Sequence, residues 1–490
     1  MLEPQTNPAE LLADRPPAPV EATQSGYAFL KNYSFLAVAY IATRFIWFLG
    51  IIYMARTLGV QRFGDMNFAQ AIVTYFTLIT HLGLMTFGTR AIACAPDSIK
   101  EHVRRILPIR LVLAAAAFTL LAILTLLLPL SNGVRGITLL FGLSLFSGAA
   151  ILDWAFKGME WMGIVGVIEI LRLAPFVLLV VLWVEQPDHL YRIPLFWFFG
   201  SAAAAIFGVG TLLYRFGSFR LTIDGGYVRQ TLRQALPLGL AFIMVQVYYL
   251  IDTLMLGLLK GTIAVGLYSA AYRMITFPQG LGGWYFEAFF PSIARLHKHQ
   301  PDRLPRLLEI SLRLTLMVVI PLAIVGIYTA SPMIQKFYGP EYGSAALPLQ
   351  ILIWAIGIEL IGMNFGYTLM ACNREKQYLL GVSMAAVASI LLNLILIPKY
   401  GPIGAAWARA GAECLLAGAF FFQCGRVVYV ELFKPILFPC LGGVLMVICY
   451  QLMDSLLVGT IVGLAGYGLL VVTTFGAGFG QFKIFLKGKL

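Results

Sequence analysis

The sequence predicts an all-α, polytopic membrane protein: about 14 membrane-spanning helices in two parallel-repeat six-helix lobes, followed by a C-terminal helix pair. Three observations lead there. Across 490 residues, 60% are hydrophobic and 12% charged, with a mean hydropathy of +0.84. Apolar runs near the ~20 residues that a helix needs to cross a ~30 Å hydrocarbon core recur along the chain, separated by short polar turns. The basic residues crowd into alternate turns, so the net charge of +12 reports membrane topology rather than a nucleic-acid partner. The alternating ~10-residue pattern of a membrane β-barrel is absent.

Taken in order, residues 1–33 read as a disordered cytoplasmic tail, rich in proline and acid (Pro4, Pro8, Pro16, Pro17, Pro19; Glu3, Glu10, Asp14, Glu21) and without the basic start and apolar core of a secretory signal. An N-lobe follows over 34–214, with spans at about 34–55, 68–88, 108–130, 136–154, 163–184 and 194–214. A polar linker at 215–235 leads to a C-lobe over 236–425. Its spans lie at about 236–257, 264–290, 308–328, 345–371, 378–397 and 403–422. Residues 426–490 supply a last pair at about 435–453 and 456–478 and a basic tail. One set of turns carries Arg90, Lys100, Arg104, Arg105 and Arg110, then Arg215, Arg220, Arg229 and Arg233, then Arg295, Lys298, Arg303 and Arg306, then Arg374 and Lys376, and finally Lys483, Lys487 and Lys489. The other set has Arg56, Arg62 and single basic residues. The positive-inside rule therefore places both termini in the cytoplasm, which an even number of spans requires.

A weak internal repeat is visible. Leu58-Gly59-Val60-Gln61-Arg62-Phe63-Gly64, running into Asn67-Phe68-Ala69-Gln70-Ala71, parallels Leu259-Lys260-Gly261-Thr262-Ile263-Ala264-Val265-Gly266, running into Ser269-Ala270-Ala271-Tyr272. Each unit is a helix, an outer glycine turn and a returning helix of small residues. Both units begin inside, so the lobes are parallel repeats about an axis along the membrane normal, with a substrate cavity expected between them.

Charges within spans are costly and mark function unless they are paired. Glu169 with Arg172 and Arg409 with Glu413 sit three and four residues apart and can neutralise each other on one helix face; Glu309 and Arg313 sit where a side chain can snorkel out. Arg44, Asp252, Arg273 and Glu359 have no partner nearby in sequence. Asp252 and Glu359 are candidates for coupling to Na⁺ or H⁺, or for pairing with Arg44 and Arg273 between helices. His81 could line the cavity or bond to a neighbouring helix. Asn364 and Asn393 read as hydrogen bonds between helices. Pro278 and Gly280 are hinge candidates, expected with Gly282 and Gly283 to break or loosen the eighth span. All six cysteines read as small core residues, and no metal site or other cofactor is expected. A P-loop, an H-E-x-x-H motif and a strand-borne dinucleotide fingerprint are all missing, which disfavours an enzyme.

Ala55-Arg56-Thr57-Leu58-Gly59 with Phe63-Gly64, Leu82-Gly83-Leu84 with Gly88-Thr89-Arg90, Val265 to Ala271, Phe337-Tyr338-Gly339 with Glu341-Tyr342, and Leu394 to Ala406 together resemble the Wzx-type polysaccharide repeat-unit flippases. These belong to the multidrug, oligosaccharidyl-lipid and polysaccharide flippase superfamily. The resemblance implies movement of an undecaprenyl-diphosphate-linked oligosaccharide from the cytoplasmic to the periplasmic leaflet of a bacterial inner membrane. Alternating access driven by a cation gradient or the membrane potential is implied with it, as are membrane lipids and a polysaccharide polymerase with its chain-length machinery as partners. Arg273, followed by Phe277-Pro278, and Arg44, twelve residues before Arg56, match cavity arginines of the related lipid II flippases. They would hold the diphosphate from both lobes, as guanidinium forks suit phosphate oxygens. The last two spans would flank a groove for the lipid tail. The alternatives are a multidrug and toxin extrusion antiporter, which would favour a carboxylate-rich cavity, and a membrane glycosyltransferase or polysaccharide polymerase.

Overall fold

The computed structural model describes the backbone of residues 25–428, 433–453 and 455–486, so most of the expected tail, together with Lys487 and Lys489, lies outside the described residues. Within them the chain is helical throughout, and no strand occurs. The first two spans are the arms of α1 (Ser25–His81), which bends at Gly59, where φ is 70° and ψ 170°. The outer turn is thus a single left-handed residue, shorter than the loop expected, and only glycine adopts it without strain. The second span ends at Leu82 and Gly83, both at positive φ, and resumes as α2 (Leu84–Cys94). After α3 (Ile99–Leu127), the fourth span is split into α4 (Asn132–Gly142), α5 (Ser144–Ala150) and α6 (Asp153–Gly158). The N-lobe closes with α7 (Met162–Trp183) and α8 (Arg192–Phe216).

The expected linker at 215–235 is largely helical. Asp224 Oδ1 accepts the Gly226 N–H at 2.9 Å and starts α9 (Gly225–Lys260), whose first turns dock on the N-lobe. There Tyr227 meets His102 at 3.0 Å and stacks under Arg105. The C-lobe continues with α10 (Thr262–His299), α11 (Leu304–Tyr338), α12 (Ala346–Ala371), α13 (Glu375–Tyr400) and α14 (Pro402–Gly425). The final pair is α15 (Phe433–Leu452) and α16 (Leu456–Leu486), which pack on each other and on α11, where Tyr450 stacks on Tyr328 at 4.2 Å. Ten described helices are long and apolar enough to cross a membrane by length and composition. The second arm of α1, α10, α14 and α16 bring the spans to about 14.

The repeat is present in the backbone. Gly261, between α9 and α10, has φ 80° and ψ 179°, close to Gly59. The glycines five residues on, Gly64 and Gly266, pack the two returning helices together. A Cβ on Gly64 would lie 1.8 Å from the Thr262 carbonyl oxygen, and one on Gly266 would lie 2.2 Å from that of Val60. Each helix therefore sets its glycine against the first carbonyl of the other. At the opposite end of these spans the lobes meet as closely, since a Cβ on Gly239 would come within 2.5 Å of the Leu82 backbone and one on Gly83 within 2.2 Å of the Ala235 oxygen. The seam at the Gly64 end is tied further by Arg56, which donates from Nε to the Phe337 oxygen at 2.7 Å and from Nη2 to the Lys336 oxygen, a cation on the carbonyl end of α11. Tyr342 adds a hydroxyl donated to the Ala55 oxygen at 2.8 Å.

Three expectations change. The eighth span is not broken at Pro278, because α10 runs through it and through Gly280 as one helix of 38 residues. Arg110 is no turn residue: it is 1% exposed in α3 and donates to the Gly148 and Ile151 oxygens at 3.0 and 2.9 Å, the carbonyls freed where α5 stops. Of the cysteines, which are all free, Cys372 and Cys424 are buried as core residues, while Cys94, Cys414 and Cys440 are exposed.

Candidate functional site

The first arm of α1 and the middle of α10 line one cavity. Arg44, Trp47, Phe48 and Ile51 come from the N-lobe; Arg273, Thr276, Phe277, Gly280, Leu281 and Trp284 come from the C-lobe. The two arginines singled out in the sequence thus share a cavity from opposite lobes. Neither has an ion-pair partner among the described residues. Beside them a larger apolar pocket shares Phe48, Phe277 and Leu281 and continues along Phe45, Pro278, Tyr285, Val318 and Phe337. A charged chamber therefore adjoins an apolar one, an arrangement able to take an amphiphile with an anionic head.

Arg273 is held rather than loose. Its Nη2 donates to Asn67 Oδ1 at 3.1 Å and Gln70 Oε1 at 3.3 Å, and its guanidinium lies 5.8 Å from the Trp47 ring. Asn67 is itself fixed by donating from Nδ2 to the Phe63 oxygen at 2.8 Å, which turns its carbonyl oxygen to the arginine. These partners are neutral, so they orient the guanidinium without cancelling its charge. Sequence reasoning did not single out Asn67 and Gln70 as site residues. Their signal was two amides three residues apart on an otherwise apolar helix face.

Asp252 is 1% exposed on α9 and lies apart from this cavity. Tyr268 donates its hydroxyl to Oδ2 at 3.0 Å, while Asn393 Nδ2 and Ser389 Oγ donate to Oδ1 at 2.6 and 3.3 Å. The Asn393 Oδ1 atom is buried with no hydrogen-bond partner. A carboxylate, an orphaned amide oxygen and two hydroxyls form the oxygen-rich donor set that a hard cation takes. Glu359, unpaired in sequence, is paired in space. It accepts from Tyr249 at 2.8 Å and from Gln279 Nε2 at 2.9 and 3.0 Å, and lies 3.4 Å from Arg409 Nη2. Neither acid pairs with Arg44 or Arg273.

His81 ends α1 and is not among the residues lining the arginine cavity; its charged neighbours are Arg110, Asp153 and Arg172 of the N-lobe. Pro278 lines the apolar pocket, and Gly280 lines the arginine cavity, where an added Cβ would meet nothing within 4 Å. The self-neutralising pairs form, Arg172 with Glu169 at 2.6 Å and Arg409 with Glu413 at 2.7 Å. Asn364 joins α12 to α11 by accepting from Ser311 at 2.6 Å and donating to Thr315 at 3.2 Å.

Two family profiles match the chain: "Polysaccharide biosynthesis protein" over residues 29–297 and "Lipid II flippase MurJ" over residues 176–476. A protein of Escherichia coli (strain K12) named "Putative O-antigen transporter" is 24% identical over 394 residues, covering 79% of this chain and 94% of its own length. Among solved structures, a lipid II flippase MurJ in an inward closed conformation superposes with a TM-score of 0.73 at 15% identity, covering 90% of this chain and 99% of that one. An inward-facing multidrug resistance MATE family transporter gives a TM-score of 0.62 at 13% identity, covering 78% and 94%. At such identities the likeness is one of fold.

Proposed function

Because the chain belongs to the polysaccharide biosynthesis protein family, we propose that it is a flippase of lipid-linked polysaccharide units, a transporter and not an enzyme. Its substrate in this reading is an undecaprenyl-diphosphate-linked oligosaccharide, carried from the cytoplasmic to the outer leaflet of a bacterial inner membrane. The observation that carries the reading is the pair Arg44 and Arg273, one from each lobe, in a cavity that holds no ion-pair partner for either among the described residues. A diphosphate between them would receive guanidinium forks from both lobes, and the adjoining apolar pocket would keep the first prenyl units out of water.

Rocking of the lobes about the glycine contacts at Gly64 and Gly239 would expose the cavity to either side in turn. Cation binding at Asp252 would bias one orientation, in proportion to the difference in affinity between the two. Arg44→Ala and Arg273→Ala are expected to abolish surface polysaccharide while the protein still reaches the membrane, with the lipid-linked unit accumulating on the cytoplasmic leaflet. Arg273→Lys is expected to recover only part of the export, because an ammonium lacks the planar fork. Normal export from Arg273→Ala would sink the phosphate role. For Asp252→Asn, transport in proteoliposomes should lose its dependence on an imposed ion gradient; dependence equal to the wild type would remove Asp252 from coupling.

A further inference from the structure

Inside the C-lobe two carboxylates converge on one guanidinium. Arg409 Nη2 lies 2.7 Å from Glu413 Oε1 and 3.4 Å from Glu359 Oε2, and the three residues are 2%, 1% and 6% exposed. The rings of Tyr248 and Tyr249 stand 4.6 and 4.7 Å from the guanidinium and seal it in. The titratable and charged groups facing the two acids are Arg409 and Cys414 on α14, Tyr248, Tyr249 and Asp252 on α9, Tyr272 on α10 and Tyr378 on α13. None of them is a second cation. Two carboxylates against one arginine leave a buried negative charge, and two acids sharing one site do not both stay ionised.

A second observation comes from the unsatisfied atoms. Glu413 Oε1 meets Arg409 Nη2 at 2.7 Å as an ion pair without an aligned hydrogen bond, and the Tyr248 hydroxyl is buried beside it. An ion-paired carboxylate oxygen without an aligned donor, next to a hydroxyl that can either donate or accept, can take on a proton. We propose that Glu359 and Glu413 hold one exchangeable proton between them, making the Glu359–Arg409–Glu413 triad a proton-binding site separate from Asp252. The proton belongs to the pair rather than to either residue. It arrives from water and returns to water, and only an O–H bond forms or breaks.

The consequence of occupancy reaches the cavity through Gln279. Its amide donates to both oxygens of Glu359, and it stands on α10 between Pro278 and Gly280, the latter a lining residue of the arginine cavity. A change in the charge of the triad is therefore felt at that face of α10 through the Gln279 amide. The proton site stands independently of the flippase reading, and its test needs no transported substrate.

The test is infrared difference spectroscopy of the full-length protein in lipid nanodiscs near neutral pH. The wild type is expected to show the C=O stretch of a protonated carboxyl, shifted in D₂O. Both Glu359→Gln and Glu413→Gln should lose it, since either leaves one carboxylate matched to Arg409, and Asp252→Asn should keep it. A wild type without the band, a band that persists in either glutamine variant, or a band lost in Asp252→Asn would overturn the proposal. Should one glutamine variant fail to elute as a single species, the wild-type spectrum and the other variant decide.

Discussion

Arg110 and Arg273 show how differently one residue type can be used within the same membrane. Arg110 spends its donors on the carbonyls of Gly148 and Ile151, where the fourth span is interrupted. Removing it strands the buried Ile151 acceptor, at about 1–3 kcal/mol, and leaves that of Gly148 with only the Ile151 N–H at 3.3 Å. Arg110→Met is therefore expected to lower the unfolding midpoint of the purified protein while its hydropathy still favours insertion, and an unchanged midpoint would contradict the capping role. Arg273 bonds to two neutral amides and keeps its charge for something else. Asn67→Leu should then weaken export without stopping it, because the guanidinium remains but is no longer aimed; export equal to the wild type would show that Asn67 does not position it. The charge of Arg273 and its lack of a local partner were readable in the sequence, and the cavity with Arg44 lies where the repeat implied. Its amide partners were not readable, because Asn67 and Arg273 are 206 positions apart and nothing local marks them as neighbours. Arg110 was counted with a turn although it also fell inside the expected span at 108–130, because α3 begins earlier, at Ile99, with polar first turns that resemble a loop.

At the scale of elements, the devices that shape this chain are glycines more than prolines. Pro278 lies inside an unbroken α10, whereas Gly59, Gly83 and Gly261 mark the bends or breaks. A proline costs a helix one donor, which other contacts can make good, but a positive φ excludes most side chains outright. Gly64 and Gly239 act at the two ends of the seam between lobes. Gly64→Val should wedge the outer end apart, and Gly239→Val the inner end. With a cysteine in place of Ile51, in a background lacking the six native cysteines, a membrane-impermeant thiol reagent added outside should label Gly64→Val faster than the parent and Gly239→Val no faster. Equal labelling of both would argue against two separate gates. The turns at Gly59 and Gly261 were legible as a repeat, but their contact was not, since sequence spacing carries no information on how two lobes meet.

For the whole molecule, hydropathy was enough to anticipate about 14 spans and the internal repeat two lobes, because the hydrocarbon core allows so few backbone solutions. The interruptions in the second and fourth spans escaped that reasoning, since a broken helix keeps the same composition as a whole one. Both termini are expected in the cytoplasm, so a reporter joined after Leu490 should be active only on that side. Activity outside would reverse the assignment of inner and outer faces used above. The glycine contacts at the two ends of the seam carry one more consequence. A gate made of leucines or lysines would freeze their rotamers on every closure, at up to about 2 kcal/mol each, and would release that disorder on every opening. Glycine has no rotamer to lose, so closure at Gly64 and Gly239 carries almost no side-chain entropy, and the open and closed forms can lie close in free energy. A substrate or ion with a modest preference for one of them is then enough to decide which is populated.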